Sequence, residues 1–308
     1  MIVVFASSLC TNDPQIELLR RVLSASGKRF LFVNPLNPKD LSEIQLYSTG
    51  GQIRLYFDGR RIVPTTFFHC RLWRTDCIID IPDNVNYPTF FRQKADSFLE
   101  EIEFCFRGVK SFPGKYGDMR LGESKCAVYQ MAHNCGLKIP EITVNSFSKP
   151  KNLSYKKVLG FPFSISLNRE KAEEVAVTLL NGTEPNLFGL PWQWQSEIQP
   201  QKHIRCVVVG KKIWTSSLDE ARLKGRSLRE AQDDGDIFVW DEDKLPREIE
   251  AKLLELLEKL GLEYATPEFL VTKNGDHIFI DLNPCGDWYG FMSESESKKI
   301  AEEIVSRL

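Results

Sequence analysis

Short apolar runs alternate with an amphipathic helical pattern at the start of the chain. Residues 2–6 (IVVFA) form a β-branched run, residues 14–26 place their apolar side chains on one helical face, and residues 29–35 (RFLFVNP) are apolar again. Gly27 follows the helical pattern, at a position where glycine commonly ends a helix. A strand, a helix and a strand joined by short breaks predict a βαβ unit, which implies a parallel sheet.

A hairpin signal follows this unit. Residues 52–57 and 61–63 flank Asp58-Gly59, and alternating residues around an Asp-Gly pair predict a β-hairpin. A strand and a helix are predicted next, at residues 67–74 and 88–108. No GxGxxG follows the first strand, which argues against a dinucleotide-binding domain. We therefore predict one α/β domain over residues 1–115.

Helical and extended patterns continue to the end of the chain, with one charged interruption. Helical spacing is found at residues 123–136, 169–181, 246–260 and 296–308. Extended apolar patterns are found at residues 159–167, 203–209, 267–272 and 277–282. Residues 221–243 are charged and poor in apolar side chains, which predicts a mobile loop or an exposed helix.

Composition narrows the class of partner. The 308 residues carry 40 basic and 42 acidic side chains, and a net charge of -2 gives no reason to expect nucleic acid or an anionic membrane as a partner. The apolar N-terminus lacks a basic region and no apolar run is long enough to cross a membrane, so we expect a cytoplasmic protein. The eight cysteines form no CxxC pair and no zinc-ligand spacing with the four histidines, which favours structural thiols.

The last two predicted strands carry the most informative polar residues. Antiparallel pairing sets Glu268 beside Asp281 and Asn283, whose side chains share one sheet face because they are two residues apart. Three oxygen-bearing groups on one face suit a hard cation such as Mg²⁺, which takes one or two carboxylates together with phosphate and water oxygens. The alternative is that Asp281-Leu-Asn-Pro is only a turn after a strand.

Three stretches in a fixed order carry a family resemblance. They are SKCAVYQMAHNCGLKIPEITVNS, WQSEIQPQKHIRCVVVGKKIW and GLEYATPEFLVTKNGDHIFIDLNPCG. They resemble the lysine-initiated helix, the hinge with an arginine-bearing strand, and the metal-binding hairpin of the ATP-grasp ligases, in particular the microviridin-type ligases that crosslink ribosomal peptides. The resemblance extends over the whole chain and implies an α/β (α+β) ATP-grasp fold. Its parts would be an N-terminal α/β pre-ATP-grasp domain, a central ATP-grasp subdomain and a C-terminal ATP-grasp subdomain with the metal-binding hairpin, over residues 1–115, 116–195 and 196–308.

The resemblance also implies roles for residues at the nucleotide. Lys125 matches the lysine that reaches the nucleotide phosphates, with an exposed lysine at a helix start as the alternative. Gln195, Glu197 and Ile198 match the hinge over which adenine lies, where backbone groups form the contacts. Arg205 matches a catalytic arginine directed at phosphate or acyl phosphate, an anion that suits a bidentate guanidinium.

The metal ligands and the mechanism are implied in the same way. Glu268, Asp281 and Asn283 match the Mg²⁺ ligands, with Glu268 standing where an aspartate is commoner. The cofactors implied are ATP and Mg²⁺. In the implied mechanism a substrate carboxylate attacks the γ-phosphate, an acyl phosphate forms, and an amine or hydroxyl displaces phosphate to leave an amide or ester.

Two phosphate-binding features of the family are missing. Ser166 stands where the family has a lysine, and a hydroxyl supplies no positive charge; Arg169 and Lys171 are the nearby cations that could compensate. The glycine-rich loop over the phosphates is also absent, because SLNREKAEEV continues directly into the predicted helix. A further family arginine, which follows an Asp-Trp pair, has three candidates here, namely Arg222, Arg226 and Arg229.

Two main functions follow from these features. The first is a ligase acting on a peptide or small-molecule carboxylate, with a precursor peptide as a partner and a homodimer suggested by the resemblance. The second is a degenerate pseudo-ligase that binds a peptide or partner enzyme without turnover. A non-ligase nucleotide-binding protein is a third alternative. Arg71, Trp73 and Arg74 suit an acidic peptide or a solvated strand end, and residues 226–244 suit a lid, a docking loop or a solvated surface.

Overall fold

A computed structural model supplies the architecture of the chain. It describes residues 1–6, 13–35, 37–70, 88–145, 158–162, 178–179, 192–226, 228–233 and 235–308. Within these ranges the helices are α1 (Pro14–Ala25), α2 (Pro38–Glu43), α3 (Pro88–Cys105), α4 (Tyr116–Gly122), α5 (Lys125–Asn134), α6 (Leu228–Asp233), α7 (Arg247–Leu260) and α8 (Glu294–Arg307). The strands of the first part are β1 (Ile2–Phe5), β2 (Phe30–Val33), β3 (Ile44–Thr49), β4 (Gln52–Phe57), β5 (Arg60–Ile62), β6 (Thr66–His69) and β7 (Lys110–Phe112). The later strands are β8 (Ile142–Asn145), β9 (Val158–Pro162), β10 (Thr178–Leu179), β11 (Trp192–Ser196), β12 (Pro200–Val209), β13 (Lys212–Asp219), β14 (Asp241–Asp243), β15 (Tyr264–Thr272) and β16 (His277–Asn283).

The N-terminal sheet is parallel, as the first apolar pattern predicts. Its strand order is β2-β1-β6-β7, and each neighbouring pair runs in the same direction. The connection between β1 and β2 is α1, so the predicted βαβ unit is confirmed. Helix α1 begins at Pro14 because the side chain of Asp13 accepts a hydrogen bond from the Gln15 N–H at 2.8 Å.

The predicted hairpin is also confirmed. Strands β4 and β5 pair on either side of Asp58 and Gly59, whose φ angles of 49° and 68° lie in the left-handed region. A type I′ turn requires positive φ at both positions, which is why Asp-Gly signals it. Leu55 and Ile62 are opposite each other on these strands and are buried in the same cluster as Phe5 of β1. The small sheet β3-β4-β5 is thereby packed on the N-terminal core.

A second sheet corrects one helix prediction. Its order is β10-β9-β11-β8, with antiparallel neighbours. The helix predicted over residues 169–181 is wrong at Thr178 and Leu179, which pair with Gly160 and Leu159 of β9. The segment VAVTLL is rich in β-branched residues, which favour a strand, and pairing with β9 decides the outcome. The rest of that predicted helix lies outside the described residues.

The C-terminal sheet is antiparallel and covered on both faces. Its order is β14-β13-β12-β15-β16. Along β12, Ile204 and Val208 belong to the apolar cluster that contains the buried side of α7, while Val207 and Val209 belong to the cluster that contains α8. Because successive side chains of a strand point to opposite faces, the two helices lie on opposite sides of this sheet.

The charged segment at residues 221–243 contributes more structure than its composition predicts. It includes most of a 3-10 helix (Glu220–Leu223), then α6, and then β14, which pairs with β13. Leu223 and Ala231 are fully buried against Leu218, and Trp240 packs on the same cluster. The prediction of a loop or exposed helix is therefore wrong for β14 and for this cluster. A few apolar side chains therefore hold this segment on the sheet, while Ile237 and Val239 stay exposed.

The first and last parts of the chain share one hydrophobic cluster. Ile2 and Val4 of β1 and Leu19 of α1 belong to the same cluster as Ile300 and Ile304 of α8. Helices α1 and α8 are also in direct contact. This packing brings the N-terminal sheet against the C-terminal subdomain, and the boundaries predicted at residues 115 and 195 stay predictions.

Membrane and thiol features agree with the composition. In the part of the chain that the structure describes, no helix has both the length and the apolar character needed to cross a membrane. None of the described cysteines is in a disulfide, namely Cys70, Cys105, Cys126, Cys135, Cys206 and Cys285. Complete burial raises the pKa of the Cys206 thiol to about 12, so this thiol stays protonated at neutral pH.

Candidate functional site

A polar row crosses the C-terminal sheet. Arg205 on β12 is paired with Glu268 on β15, and Glu268 is paired with Asp281 on β16. Directly opposite residues of antiparallel strands present their side chains on one face, so these three lie side by side. The predicted placement of Glu268 beside Asp281 is confirmed. Ser216, which is buried, continues the row on β13.

The Arg205 guanidinium contacts a carboxylate and two aromatic rings. Its Nε lies 3.2 Å from Glu268 Oε1, and its Cζ lies 5.3 Å from the ring centroids of both Trp240 and Phe291. The Nε atom is buried and forms no hydrogen bond within the described residues, so the contact with Glu268 is an ion pair without hydrogen-bond geometry. These partners offset the cost of partly burying a permanent charge. With 24% of its side chain exposed, Arg205 remains within reach of a ligand.

Asn283 is held by the turn that follows β16. Its Oδ1 accepts a hydrogen bond from the Cys285 N–H at 3.0 Å, and the residue pairs with Thr266 on β15. A Cβ on Gly286 would lie 1.7 Å from Thr266 Oγ1, so the turn needs glycine at this position. The alternative interpretation of this stretch as a turn is therefore correct for the residues after Asn283. It does not exclude cation binding, because an amide oxygen has a second lone pair.

Tyr129 connects α5 with the strand that carries Asp281. Its hydroxyl donates to the Ile280 carbonyl oxygen at 2.6 Å and lies 3.1 Å from Gln195 Oε1. Because a hydroxyl has one proton, the second contact is satisfied when the Gln195 amide is turned so that its NH₂ donates to Tyr129. Burial, and secondarily the charge of Asp281, raises the pKa of Tyr129 well above its ordinary value. Lys125 Nζ lies 5.7 Å from the centroid of the Tyr129 ring. Tyr129 therefore contacts two residues predicted at the nucleotide, Lys125 and Gln195, and the strand that carries the predicted metal ligand Asp281.

The predicted hinge, Gln195 to Ile198, begins in the last two residues of β11, where Gln195 is buried. Glu197 and Ile198 are half-buried and lie between β11 and β12. Ser196 fixes the start of the hinge, because its N–H donates to the Glu141 carbonyl at 3.0 Å and its Oγ accepts from the Glu141 N–H at 3.2 Å. The hinge is thereby attached to the connection between α5 and β8. Its role in holding adenine stays a prediction.

The three arginine candidates lie in the segment before β14. Arg222 donates to the Val239 carbonyl and to Asp241 Oδ2, both at 2.6 Å. Arg226 forms an ion pair with Asp236, and Arg229 lies on α6. The contacts of Arg222 attach the 3-10 helix to β14 and leave the choice among the three arginines open. The remaining predicted residues lie outside the described ranges, namely Ser166, Arg169, Lys171, Arg71, Trp73 and Arg74.

The side-chain oxygens of Glu268, Asp281 and Asn283 fit Mg²⁺ in their chemistry. They supply two carboxylates and one amide, all hard oxygen ligands. Among the described residues, no group of three or more His, Cys, Asp or Glu side chains could hold a metal ion. A magnesium ion at this position would therefore depend on phosphate and water oxygens for the rest of its coordination, which is its usual arrangement with nucleotides.

Sequence reasoning did not find three side chains that shape this site, Tyr129, Trp240 and Phe291. Tyr129 lies in the stretch that resembles the family's lysine-initiated helix. A helical pattern does not show which side-chain hydroxyl will bond to a strand. Trp240 alternates with Phe238 in the stretch IFVW, and this period of two was an available signal for a half-buried extended segment. Phe291 follows a turn and belongs to no periodic pattern.

Comparison with known proteins defines the fold. No family model matches the chain, and no curated protein matches it by sequence. Among solved structures, the macrocyclase MdnC from Microcystis aeruginosa MRC, bound with precursor peptide MdnA, is 19% identical with a TM-score of 0.70, and 100% of each chain is covered. The RiPP-associated ATP-grasp ligase of Chryseobacterium gregarium, in complex with ADP and a leader and core peptide, is 19% identical with a TM-score of 0.68, covering 100% of this chain and 97% of that one.

A more distant ligase has the same architecture. The D-alanine-D-alanine ligase from Coxiella burnetii is 10% identical with a TM-score of 0.56, covering 99% of this chain and 95% of that one. The protein described here therefore has the ATP-grasp fold, and the predicted fold class is confirmed. The predicted resemblance to peptide-crosslinking ATP-grasp ligases is confirmed at the level of the fold. Activity has to be argued from the site, because one fold supports several functions.

Proposed function

We propose that this protein is an ATP- and Mg²⁺-dependent ligase that joins a peptide carboxylate to an amine or hydroxyl. The observation that carries the proposal is the row of Arg205, Glu268 and Asp281 on one face of an ATP-grasp sheet. This row sets a permanent cation beside two carboxylates, an arrangement suited to phosphoryl transfer. A peptide substrate is supported by the precursor peptide bound to MdnC and by the leader and core peptide bound to the Chryseobacterium ligase.

Each residue has a defined part in this proposal. Glu268, Asp281 and Asn283 would hold the metal through their side-chain oxygens, and Lys125 adds a cation at the start of α5. Arg205 directs its charged donors at the anionic oxygens of the transferring group. When bound, ATP supplies the phosphoryl group that converts the carboxylate to an acyl phosphate, from which the amine or hydroxyl displaces phosphate, and Mg²⁺ neutralises phosphate charge. The backbone of the hinge, Gln195 to Ile198, would hold adenine.

A pseudo-ligase that binds a peptide without turnover is the second candidate. It is favoured by Ser166, which replaces the family's phosphate-binding lysine, and by the absence of the glycine-rich loop. Both candidates keep the ATP-grasp fold and differ in whether the nucleotide is bound and consumed. In either case we propose a cytoplasmic location, where ATP is available and thiols stay reduced. The homodimer stays a prediction.

Isothermal titration calorimetry with ATP and with a non-hydrolysable analogue, each with and without Mg²⁺, tests the ligase proposal. We expect Mg²⁺-dependent binding of both nucleotides to the wild-type protein. The Asp281→Asn variant should weaken this binding about tenfold or more, because it removes a charged metal ligand. Asp276→Asn is the matched control, because Asp276 lies in the turn of the same hairpin, where it pairs with Lys138. This control should bind as the wild-type protein does.

The outcomes separate the two candidates. An absence of Mg²⁺-dependent heat at millimolar nucleotide contradicts the ligase proposal and favours the pseudo-ligase. Equal loss of affinity in both variants contradicts the role of Asp281. If nucleotide binds, phosphate release is then measured with peptides that carry Asp or Glu side chains, and release that depends on the peptide identifies the substrate carboxylate.

A further inference from the structure

Two aromatic rings hold the Arg205 side chain in addition to its carboxylate partner. The Arg205 Cζ lies over the rings of Trp240 and Phe291, 5.3 Å from each centroid. The two rings also contact each other, with centroids 6.0 Å apart and planes inclined by 58°. A cation within about 6 Å of an aromatic centroid is attracted by the negative face of the ring. The two rings therefore stabilise the Arg205 cation in addition to its contact with Glu268.

Trp240 is anchored by contacts that do not involve Arg205. The residues on either side of it, Val239 and Asp241, accept hydrogen bonds from the Arg222 guanidinium at 2.6 Å each. Strand β14 begins immediately after Trp240 and pairs with β13. The ring itself packs on the cluster around Leu218. The position of Trp240 is therefore set by the segment that crosses this face of the sheet.

Phe291 is anchored by a different segment of the chain, the turn that follows β16. It is 6% exposed and belongs to the cluster that contains the buried face of α8. Its N–H donates to the Trp288 carbonyl at 3.2 Å, within the turn that follows Asn283. The two rings thus come from separate segments of the chain. Contacts that do not involve Arg205 hold each segment in place. A functional side chain is preorganised when packing and hydrogen bonds hold the groups that contact it.

The geometry points to a role in positioning. All five N–H donors of a guanidinium lie in its plane, so rings over the carbon restrict the directions in which those donors can point. We propose that Trp240 and Phe291 form an aromatic clamp that positions Arg205, directing its in-plane donors along the row of Glu268 and Asp281 toward the anionic group in the site. The clamp rests on the proposed ligase function and adds two positioning residues to it.

The first test measures Arg205 in the protein without any ligand. The protein is labelled with ¹⁵N at the arginine Nε atoms, and the Arg205 Nε–H signal is assigned by its disappearance in Arg205→Lys. Ring currents are expected to shift this signal upfield in the wild-type protein and in Trp240→Phe, which keeps a ring. Trp240→Leu is expected to abolish most of the shift, and Phe291→Leu is the second variant for the case that Trp240→Leu does not fold. An unchanged signal in a folded leucine variant overturns the clamp.

The second test asks whether positioning affects the reaction. Phosphate release from ATP is measured with the peptide substrate for each folded variant. We expect Trp240→Leu to lower kcat about tenfold with a KM for ATP changed less than about twofold, and Trp240→Phe to restore most of kcat. Trp240→Leu combined with Arg205→Lys should be no slower than Arg205→Lys alone, because the clamp acts through Arg205.

The outcomes distinguish the clamp from the ligase proposal. A double variant that is slower than Arg205→Lys by the full tenfold overturns the positioning role, because Trp240 would then act independently of Arg205. A wild-type protein that neither binds nor consumes ATP contradicts the ligase proposal. In that case the Arg205 signal in the ligand-free protein still decides whether the clamp exists.

Discussion

At the scale of single residues, strand register matters more than charge for the central ion pair. The Arg205 and Glu268 side chains are 24% and 32% exposed. Exposed ion pairs contribute only about 0–1 kcal/mol to stability. This pair is partly buried but lacks hydrogen-bond geometry, so attraction alone does not keep the two together. Their direct pairing between β12 and β15 does so instead. Strand pairing therefore brings the two charged groups together, and both remain accessible to a ligand.

Within this site, a methyl group added at Gly286 is expected to lower the free energy of unfolding most. In Gly286→Ala the new Cβ would lie 1.7 Å from Thr266 Oγ1 and 2.9 Å from Thr266 Cβ, so the turn after Asn283 must shift. Overpacking of this kind costs about 1–3 kcal/mol, and we expect a loss of that size in urea unfolding. Gly290→Ala is the control in the same loop, because its Cβ would meet no atom within 4 Å. Equal stability of the two variants would contradict the close contact.

A buried histidine and glutamate contact lies in the N-terminal domain. His69 Nε2 and Glu103 Oε1 are 2.6 Å apart, and the His69 side chain is 0% exposed. Glu103 also accepts hydrogen bonds from Ser111 Oγ at 2.9 Å and from the Tyr116 N–H at 2.7 Å. Burial raises the pKa of Glu103, but His69 and the two other donors outweigh burial and lower the pKa below its ordinary value of 4.5.

This pKa shift predicts a dependence of stability on pH. Because the pKa of Glu103 is lower in the folded protein than in the unfolded chain, Glu103 stabilises the fold above about pH 4.5 and loses this contribution as the pH falls through the folded pKa. We expect the free energy of unfolding to fall more steeply from about pH 5 to about pH 3 in the wild-type protein than in Glu103→Gln. Glu100→Gln, an exposed change on the same helix, should follow the wild-type slope. Parallel slopes for wild type and Glu103→Gln would refute the prediction.

At the scale of elements, α5 contacts the C-terminal sheet through apolar packing and through one buried hydroxyl. Tyr129 is 1% exposed, and its bond to the Ile280 carbonyl lies next to Asp281 in the chain. Helix α5 begins at Lys125, and the buried Gln195 contacts the same hydroxyl. The Tyr129 hydroxyl therefore joins the helix to Gln195 and to the strand that carries Asp281.

Tyr129→Phe tests this attachment. The substitution removes the donor and leaves the Ile280 carbonyl without it, so we expect a loss of about 1–3 kcal/mol in urea unfolding. Tyr47→Phe is the matched control, because Tyr47 is 54% exposed and its change should be close to neutral. If both variants lose the same stability, the Tyr129 hydroxyl does not contribute as proposed.

At the scale of the whole molecule, we expect the N-terminal sheet and the C-terminal helix to unfold as one unit. Beyond their shared apolar cluster, Lys28 Nζ donates to the Val305 carbonyl at 2.8 Å and Thr66 Oγ1 donates to the Leu308 carbonyl at 3.0 Å. Residues from the two ends of the chain thus pack into one hydrophobic cluster. Neither part can expose this surface without loss of burial on the other.

Ile304→Ala tests this coupling. Ile304 is 1% exposed on α8, so its truncation should cost about 2–5 kcal/mol. We expect circular dichroism and tryptophan fluorescence to report one coincident transition in the wild-type protein and in this variant. Glu302→Ala, at an exposed position on the same helix, is the control and should leave the transition nearly unchanged. Two separated transitions in the wild-type protein would contradict a common cooperative unit.

Helix α1 and the β4–β5 hairpin were predicted from local signals, whereas some strands that lack such signals were not. Helix α1 has its proline at the start and its glycine after the end, and the Asp58-Gly59 turn has the residue types that its φ angles require. Strand β10 and strand β14 were missed, because what makes them strands is pairing with β9 and β13. The N-cap and turn signals act over a few residues, whereas pairing depends on a partner that the local pattern does not contain.

The sequence by itself determined the fold class and the placement of Glu268 beside Asp281, whereas the roles of Arg205, Glu268, Asp281 and Asn283 stay predictions. It could do so because motif order, strand period and the two-residue spacing of Asp281 and Asn283 are properties of short segments. Only the tertiary structure decided that Trp240 and Phe291 meet at Arg205. These contacts join positions that are far apart in the chain, and they depend on how the backbone crosses the sheet, which no local period encodes.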